Sequence, residues 1–253
     1  MTTRFTDQVV VVTGGTAGIG LATAHEVVAE GGRVVVNGRD RDRLATAVAQ
    51  LGQDVAVGVP GDITDPATVA ALVDVPLERW SRIDAVVNNA GGGIGARHLE
   101  DVDDEDLRAC LAVNLDAVFA VTRAVVPVLR DRGGGRVVNV TSLAGRDVGR
   151  FSGPQYAAAK AAVHGLTRHL SVQLARDGIN VNAVAPGYVA TDRANRMYAD
   201  LPAADQQAIL DGTPLGRPGT PREIARAIVF LASSDASFIT GATLDVNGGS
   251  YRA

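Results

Sequence analysis

The run from Gln8 to Thr13 (QVVVVT) shows no alternation of apolar and polar residues. A β-strand presents successive side chains to opposite faces, so such a run is satisfied only where both faces are covered, as in a parallel sheet flanked by helices. Six more strand-like runs follow: Arg33 to Asn37, Val55 to Val59, Ile83 to Val87, Arg136 to Thr141, Ile179 to Ala185 and Ala242 to Val246. Helical patterns separate them. The alternation predicts an α/β fold, a doubly wound seven-stranded parallel sheet with helices on both faces, in one domain spanning residues 1–253.

Glycines punctuate the strand ends. Gly14-Gly15-Thr16-Ala17-Gly18-Ile19-Gly20 directly follows the first run and opens a helix. Glycines let a chain turn tightly and approach a phosphate, and the free amides of a helix N-terminus attract negative charge. This stretch is therefore a candidate pyrophosphate site, with Gly14, Thr16, Gly18, Ile19 and Gly20 as its cofactor-binding residues. The second strand ends at Gly38-Arg39-Asp40, where an acidic residue would suit a ribose hydroxyl and a basic one a 2′-phosphate. Arg39 favours NADP(H), with NAD(H) possible and Asp40 weakening the inference slightly.

At the third strand's end Asp62, with Ile63, is placed to bond an adenine amino group, although Asp65-Pro66 reads as a helix start and capping competes as an explanation. Asn88, Ala90 and Gly91 close the fourth strand, and Gly92, Gly93 and Gly95 extend it as a flexible loop. Asn88 would either face the cofactor or stabilise the strand end. A long helical stretch from Asp103 to Arg132, read as two helices or one bent one, places Asn114 among apolar neighbours as a structural bridge or a holder of ordered water. Ser142 ends the fifth strand.

Tyr156 and Lys160 stand four apart in an alanine-rich helix and share a face. An ammonium beside a phenol favours the phenolate, so Lys160 is expected to lower the Tyr156 pKa. Alone, such a pair would read as a solvated helix face. Beyond the sixth strand, Pro186-Gly187 breaks the chain, and Arg193 to about Gly219 lacks strong periodicity. With Pro202, Pro214, Pro218 and Pro221 it reads as an irregular or mobile insertion, a substrate lid at about 188–215.

Composition narrows the partners. A net charge of -4 leaves no electrostatic footprint for nucleic acid or an anionic membrane. Cys110 is the lone cysteine, and of His25, His98, His164 and His169 only the last pair, five apart on a helix, approaches a ligand spacing, so no metal site is expected. The N-terminal residues lack a signal-peptide core and no run approaches about 18 apolar residues. The expectation is a soluble cytoplasmic protein.

Taken together these segments resemble the short-chain dehydrogenase/reductase family over almost the whole chain. Thr13 to Gly20 is similar to its T-G-x-x-x-G-x-G turn and Asn88 to Gly91 to its N-N-A-G segment; Asn114, Ser142, Tyr156 and Lys160 match its catalytic tetrad, and Pro186-Gly187 with Thr191 its P-G-x-x-x-T loop. The resemblance implies a Rossmann fold and hydride transfer between a nicotinamide cofactor and a ketone or secondary alcohol. Tyr156 would be the acid and base, Ser142 the hydrogen-bond donor to the substrate oxygen, and Lys160 the group that tunes Tyr156 and holds the nicotinamide ribose. Asn114 would position a relay water, while Pro186, Gly187, Val189 and Thr191 would complete the cofactor site. A homotetramer is also implied.

Some features depart from the family. Ser142 and Tyr156 are separated by 14 positions, one more than is common, and Ala17 stands where many NADP-dependent relatives carry arginine. The closest flavour is that of 3-oxoacyl-carrier-protein reductases. These commonly dock the acidic carrier with an arginine where this chain has Asp177, so a carrier-protein partner is not favoured over a small-molecule substrate, although Arg176, Arg130 and Arg132 lie near. The expected substrate lining is Gly92 to His98, Leu143 to Phe151 and Tyr188 to Leu210. A non-catalytic dinucleotide-binding sensor is the alternative class; binding alone would not need Ser142, Tyr156 and Lys160 together.

Overall fold

The computed structural model describes residues 3–149 and 152–252. Arg150 and Phe151, the end of one expected substrate-lining stretch, lie outside the described residues. The strands are β1 (Val9–Val12), β2 (Arg33–Gly38), β3 (Ala56–Pro60), β4 (Ala85–Asn88), β5 (Gly135–Val140), β6 (Ile179–Pro186) and β7 (Thr243–Val246). All pair in parallel, in the order β3-β2-β1-β4-β5-β6-β7. The helices are α1 (Gly18–Ala29), α2 (Arg41–Leu51), α3 (Pro66–Trp80), α4 (Asp104–Leu111), α5 (Ala117–Asp131), α6 (Pro154–Gln173), α7 (Asp192–Ala199), α8 (Ala203–Asp211) and α9 (Pro221–Ala232).

The unbroken valines do what a doubly covered sheet requires. Val10, Val12, Val34 and Val36 face one core with α1, α2 and α9, through Val27, Leu44 and Ile228. Val9, Val11 and Val35 face the opposite core with α3 and α5, through Leu72, Val121 and Leu129. All four β1 valines are fully buried, each contributing roughly 1.5–3 kcal/mol.

With apolar side chains on both faces, valine patterning cannot fix strand register, because a one-residue slip exchanges one apolar face for another. Buried polar groups supply what the valines lack. Asn88 of β4 and Asn139 of β5 are register partners, and Asn88 Nδ2 donates to Asn139 Oδ1 at 2.8 Å and to Thr122 Oγ1 of α5 at 3.0 Å. Asn139 Nδ2 in turn donates to Thr167 Oγ1 of α6 at 2.9 Å. This network locks two strands to two helices. It also corrects the placement of Asn88 toward the cofactor: its amide turns inward and away from the cleft lining, bonded to side chains and not to the backbone as the strand-end alternative expected.

Of two further expectations one is met and one changes. The Asp103 to Arg132 stretch is α4 and α5 joined by a π-helical turn, Ala112–Asp116. By length and composition Asp104–Asp131 could cross a membrane, with a mean hydropathy of 1.7 over its most apolar 18-residue window; in the fold Val118, Val121, Val125 and Leu129 are buried within the protein. The segment read as irregular after Arg193 contains α7 and α8. Each is too short to show a periodic stripe, and they are held by the Thr191 cap on the Ala194 amide at 3.1 Å, by Tyr188 stacked on Tyr198 with centroids 5.0 Å apart, and by buried Leu201 and Ile209.

Asn139→Ala removes the shorter bond of the Asn88 amide and the donor to the Thr167 hydroxyl, leaving Asn88 only Thr122 and Thr167 only the Val163 carbonyl. Urea unfolding is expected to show a loss of about 2–4 kcal/mol, against about 1 for Thr122→Val, which leaves Asn88 its stronger partner.

Candidate active site

Strand order reverses at β1, whose two neighbours continue the chain in opposite directions, and a crevice opens where β1 and β4 end. A cleft of about 1790 Å³ occupies it. Thr13 at the end of β1 accepts the Asn89 and Ala90 amides at 2.9 Å through its hydroxyl, and Asn89 Nδ2 returns bonds to the Thr13 and Gly14 carbonyls at 2.9 and 3.1 Å. The glycine turn and the β4 loop are thus stitched together. Gly14, Thr16, Gly18 and Ile19 line the cleft, as do Ala90 and Gly91. Gly20 does not: it is buried, and a Cβ there would collide with the Gly14 carbonyl oxygen, so its task is to seat α1 under the turn. α1 begins after Ala17, which has no capping side chain, so its first amides lack a side-chain partner beside the cleft.

At the far end Gly38, Arg39, Asp62 and Ile63 line the cleft, joined by His25 and Arg43. Asp40 is turned away, accepting the Asp42 and Arg43 amides at 3.0 Å as the cap of α2. Asp62 Oδ1 accepts the Thr64 amide and hydroxyl at 2.9 and 2.8 Å, which holds its carboxyl below the usual range with help from Arg39. Asp65 is the residue that caps α3. Arg39 is largely exposed, 3.7 Å from Asp62 Oδ2.

At the near end Ser142, Tyr156 and Lys160 meet. Lys160 is buried, donating from Nζ to the Val140 carbonyl at 2.9 Å, with its ammonium 5.6 Å from the Tyr156 ring centroid. Burial lowers its pKa to about 8. The Tyr156 phenol is raised above its ordinary value, not lowered as the sequence suggested: burial outweighs the downward pull of the Ser142 hydrogen bond and the Arg193 charge. In a site this enclosed, desolvation of the phenolate exceeds the charge effects that favour it. Pro186, Gly187, Val189 and Thr191 line the wall opposite.

Asn114 is fully buried beside this group. Its Nδ2 donates to the Gly92 and Cys110 carbonyls at 3.0 and 2.9 Å, and its Oδ1 accepts the Gly92 amide at 3.0 Å. The loop expected to be flexible is held at several points: Asn114 on Gly92, Arg193 Nη2 on the Gly93 carbonyl, and Gln155 Nε2 on Ile94 O and Ala96 O at 2.6 and 2.9 Å.

Sequence reasoning missed Asn89, Gln155, His25 and Arg43 as site residues. His25 was findable, since it follows Gly18 and Ala22 at helical spacing on the cleft face of α1. Another signal lay in the counts: among 24 Lys and Arg residues, Lys160 is the only lysine. Arginine serves for every other cation in the chain, and arginine cannot give up its proton near neutrality.

Uniform ¹³Cε-lysine labelling should therefore give one side-chain resonance, titrating near pH 8 in the folded protein and near 10.5 after unfolding. A depressed ammonium pKa penalises folding in full below about pH 8, and the penalty fades as pH rises toward 10.5. Urea midpoints in Lys160→Met should lack that rise.

A family model described as enoyl-(acyl carrier protein) reductase matches residues 14–251. The chain is 40% identical over 253 residues to a 3-oxoacyl-[acyl-carrier-protein] reductase of Synechocystis sp., covering 98% of both. It is 40% identical over 243 residues to galactitol 2-dehydrogenase (L-tagatose-forming) of Cereibacter sphaeroides, covering 94% of this chain and 92% of that one. Levodione reductase of Leifsonia aquatica is 36% identical over 261 residues, covering 100% and 97% respectively. With the family match across nearly its full length and these relatives, the chain belongs to the short-chain dehydrogenase/reductase family, as a nicotinamide-dependent oxidoreductase acting on carbonyls and alcohols.

Proposed function

We propose an NADP(H)-preferring ketoreductase in which Tyr156 exchanges a proton with the substrate oxygen. The observation that carries this reading is the Tyr156 phenol lining the cleft with Ser142 and backed by the buried Lys160, at one end of a cleft whose other end holds Arg39. The cleft fits a dinucleotide: Gly14 takes a positive φ of 63°, a Cβ on it would sit 3.0 Å from the Ala90 Cα, and the uncapped α1 terminus suits a pyrophosphate. Gly14, Thr16, Gly18 and Ile19 would hold the pyrophosphate, and Asp62 and Ile63 the adenine end. Ala90, Gly91, Lys160, Pro186, Gly187, Val189 and Thr191 would hold the nicotinamide end. When bound, the nicotinamide supplies or accepts the hydride.

The raised phenol pKa keeps Tyr156 protonated at neutral pH, the form needed to donate to a carbonyl oxygen as charge develops on it. Ser142 would donate a hydrogen bond to the same oxygen. Lys160, titrating near 8, can gain and lose a proton in the working range. The space a Gly91 Cβ would fill is bordered by Asn114 Oδ1 at 2.5 Å and Lys160 Nζ at 3.5 Å. A water beside that space would accept from Lys160 and donate to Asn114, which supports the relay role.

For the ribose, Arg39 has His25 and Arg43 as cationic or ionisable companions, and Asp40 is spent as a cap. This supports NADP(H). A carrier-protein substrate is suggested by the 3-oxoacyl-carrier-protein reductase relative, but Arg130, near the expected docking position, is engaged by Asp177 at 2.7 Å. A small-molecule ketone is the preferred reading. We also keep a cytoplasmic homotetramer as the proposed assembly, consistent with the exposed apolar side chains of Val172, Phe238 and edge-strand Leu244.

Tyr156→Phe should abolish ketone reduction, by about 10²-fold or more, while NADPH binding measured by fluorescence is retained. Binding without any Tyr156-dependent turnover of ketones would instead favour a sensor. Arg39→Ala is expected to weaken NADPH about 10-fold or more and leave NADH nearly unchanged, since only the former loses a charge-assisted phosphate contact; equal losses would remove the NADP(H) preference.

A further inference from the structure

The substrate end of the cleft is mostly apolar, lined by Ile94, Leu143, Val148, Met197 and Ile209. Two cations interrupt it. Arg193 and Arg196 stand three apart on α7, hence on neighbouring positions of one helix face, and both line the cleft. Arg193 packs against Gly92 and spends one of its five N–H donors on the Gly93 carbonyl. Its charge reaches Tyr156, whose phenol it holds down against burial.

Among the described residues neither arginine has a carboxylate within 4.0 Å, whereas Arg4, Arg82, Arg130 and Arg217 each hold one at 3.2 Å or closer. The acidic residues lining the same cleft region, Asp147 and Asp192, form no ion pair with them. Asp147 accepts the Val148 amide at 2.8 Å, and Asp192, in the first turn of α7, makes no ion pair with either arginine. A guanidinium fixed by one edge, with donors left over beside the reacting centre, is suited to fork a planar anion.

We propose that Arg193, supported by Arg196, makes the site selective for carbonyl substrates that carry a carboxylate on an apolar body. The proposal rests on the reductase reading for its chemistry and specifies the substrate class. The carboxylate would take the free N–H groups of Arg193 while the ketone oxygen meets Ser142 and Tyr156.

The test compares oxo acids with their neutral methyl esters, using 4-oxopentanoate, 5-oxohexanoate and 4-oxocyclohexanecarboxylate. The ratio of kcat/KM for acid over ester is measured with NADPH in the wild type, Arg193→Gln, Arg196→Gln and Arg193→Lys. The acid is expected to win by about 10-fold or more in the wild type, and the ratio to collapse in Arg193→Gln with partial rescue by lysine. Loss of the Gly93 anchor alone would slow acid and ester together and leave the ratio unchanged, which overturns the proposal. A second readout is calorimetric affinity of acid and ester for the Tyr156→Phe protein loaded with NADPH, with and without Arg193→Gln. Ester turnover without acid preference would sink the carboxylate site and leave the reductase intact. Acid-selective, Arg193-dependent binding without turnover in the wild type would support the carboxylate site and sink the reductase. Acids that bind no better than esters, or no binding across the series, overturn the proposal.

Discussion

A parallel sheet covered on both faces leaves chemistry only one place to go, the edge where the strands end. Here the two cores bury the β1 and β2 valines completely, and the cleft opens where strand order reverses between β1 and β4. Every cleft residue hangs from that edge or from the helix it feeds: the glycine turn from β1, Arg39 from β2, Asn89 to Gly91 from β4, Ser142 from β5 and Pro186 from β6. Strand register therefore sets the position of the site, and the buried Asn88, Asn139, Thr122 and Thr167 set the register of the two strands nearest the proposed chemistry.

The same economy appears around Lys160. Its ammonium sits under the carbonyl end of β5, bonded to Val140, and burial brings it into a titratable range near pH 8. Burial also raises the Tyr156 phenol. The two shifts share one cause and run in opposite directions, Lys160 down and Tyr156 up, because desolvation disfavours an ammonium and a phenolate alike. The chain's 24 basic residues include a single lysine, and it stands at the one position where a cation able to release its proton has a use.

Much of this was legible in the residues. Valine runs and the glycine turn carry their meaning locally, in strand pleat and φ freedom, whereas the Tyr156 to Lys160 interval gains its meaning only beside the other motifs; the strand boundaries fell within a few residues of those read from sequence. Other features were not legible for identifiable reasons. Asn88 and Asn89 are adjacent and chemically identical, yet pleating sends one inward to Asn139 and leaves the other at the cleft. Gly92, Gly93 and Gly95 looked flexible because glycine lacks local restraint, but the restraint comes from Asn114, Gln155 and Arg193, distant in sequence. α7 and α8 are short, and what holds them is the Thr191 cap of α7, the Tyr188–Tyr198 stack and the burial of Leu201 and Ile209.

The amino-acid sequence by itself determined the fold class and the place of the glycine turn at a strand end, since each depends on spacing and side-chain type within a short stretch; Ser142, Tyr156 and Lys160 it offered as candidates through the resemblance carried by the whole set of motifs. Tertiary structure decided the direction of the Tyr156 pKa shift, the removal of Asp40 from the ribose end as a helix cap and the placement of Arg193 over Gly92. Those outcomes depend on how far each group is withdrawn from water and on what faces it across the cleft. Neither is encoded in neighbouring residues, because both arise only when segments up to 100 positions apart, such as Gly93 and Arg193, are brought into contact.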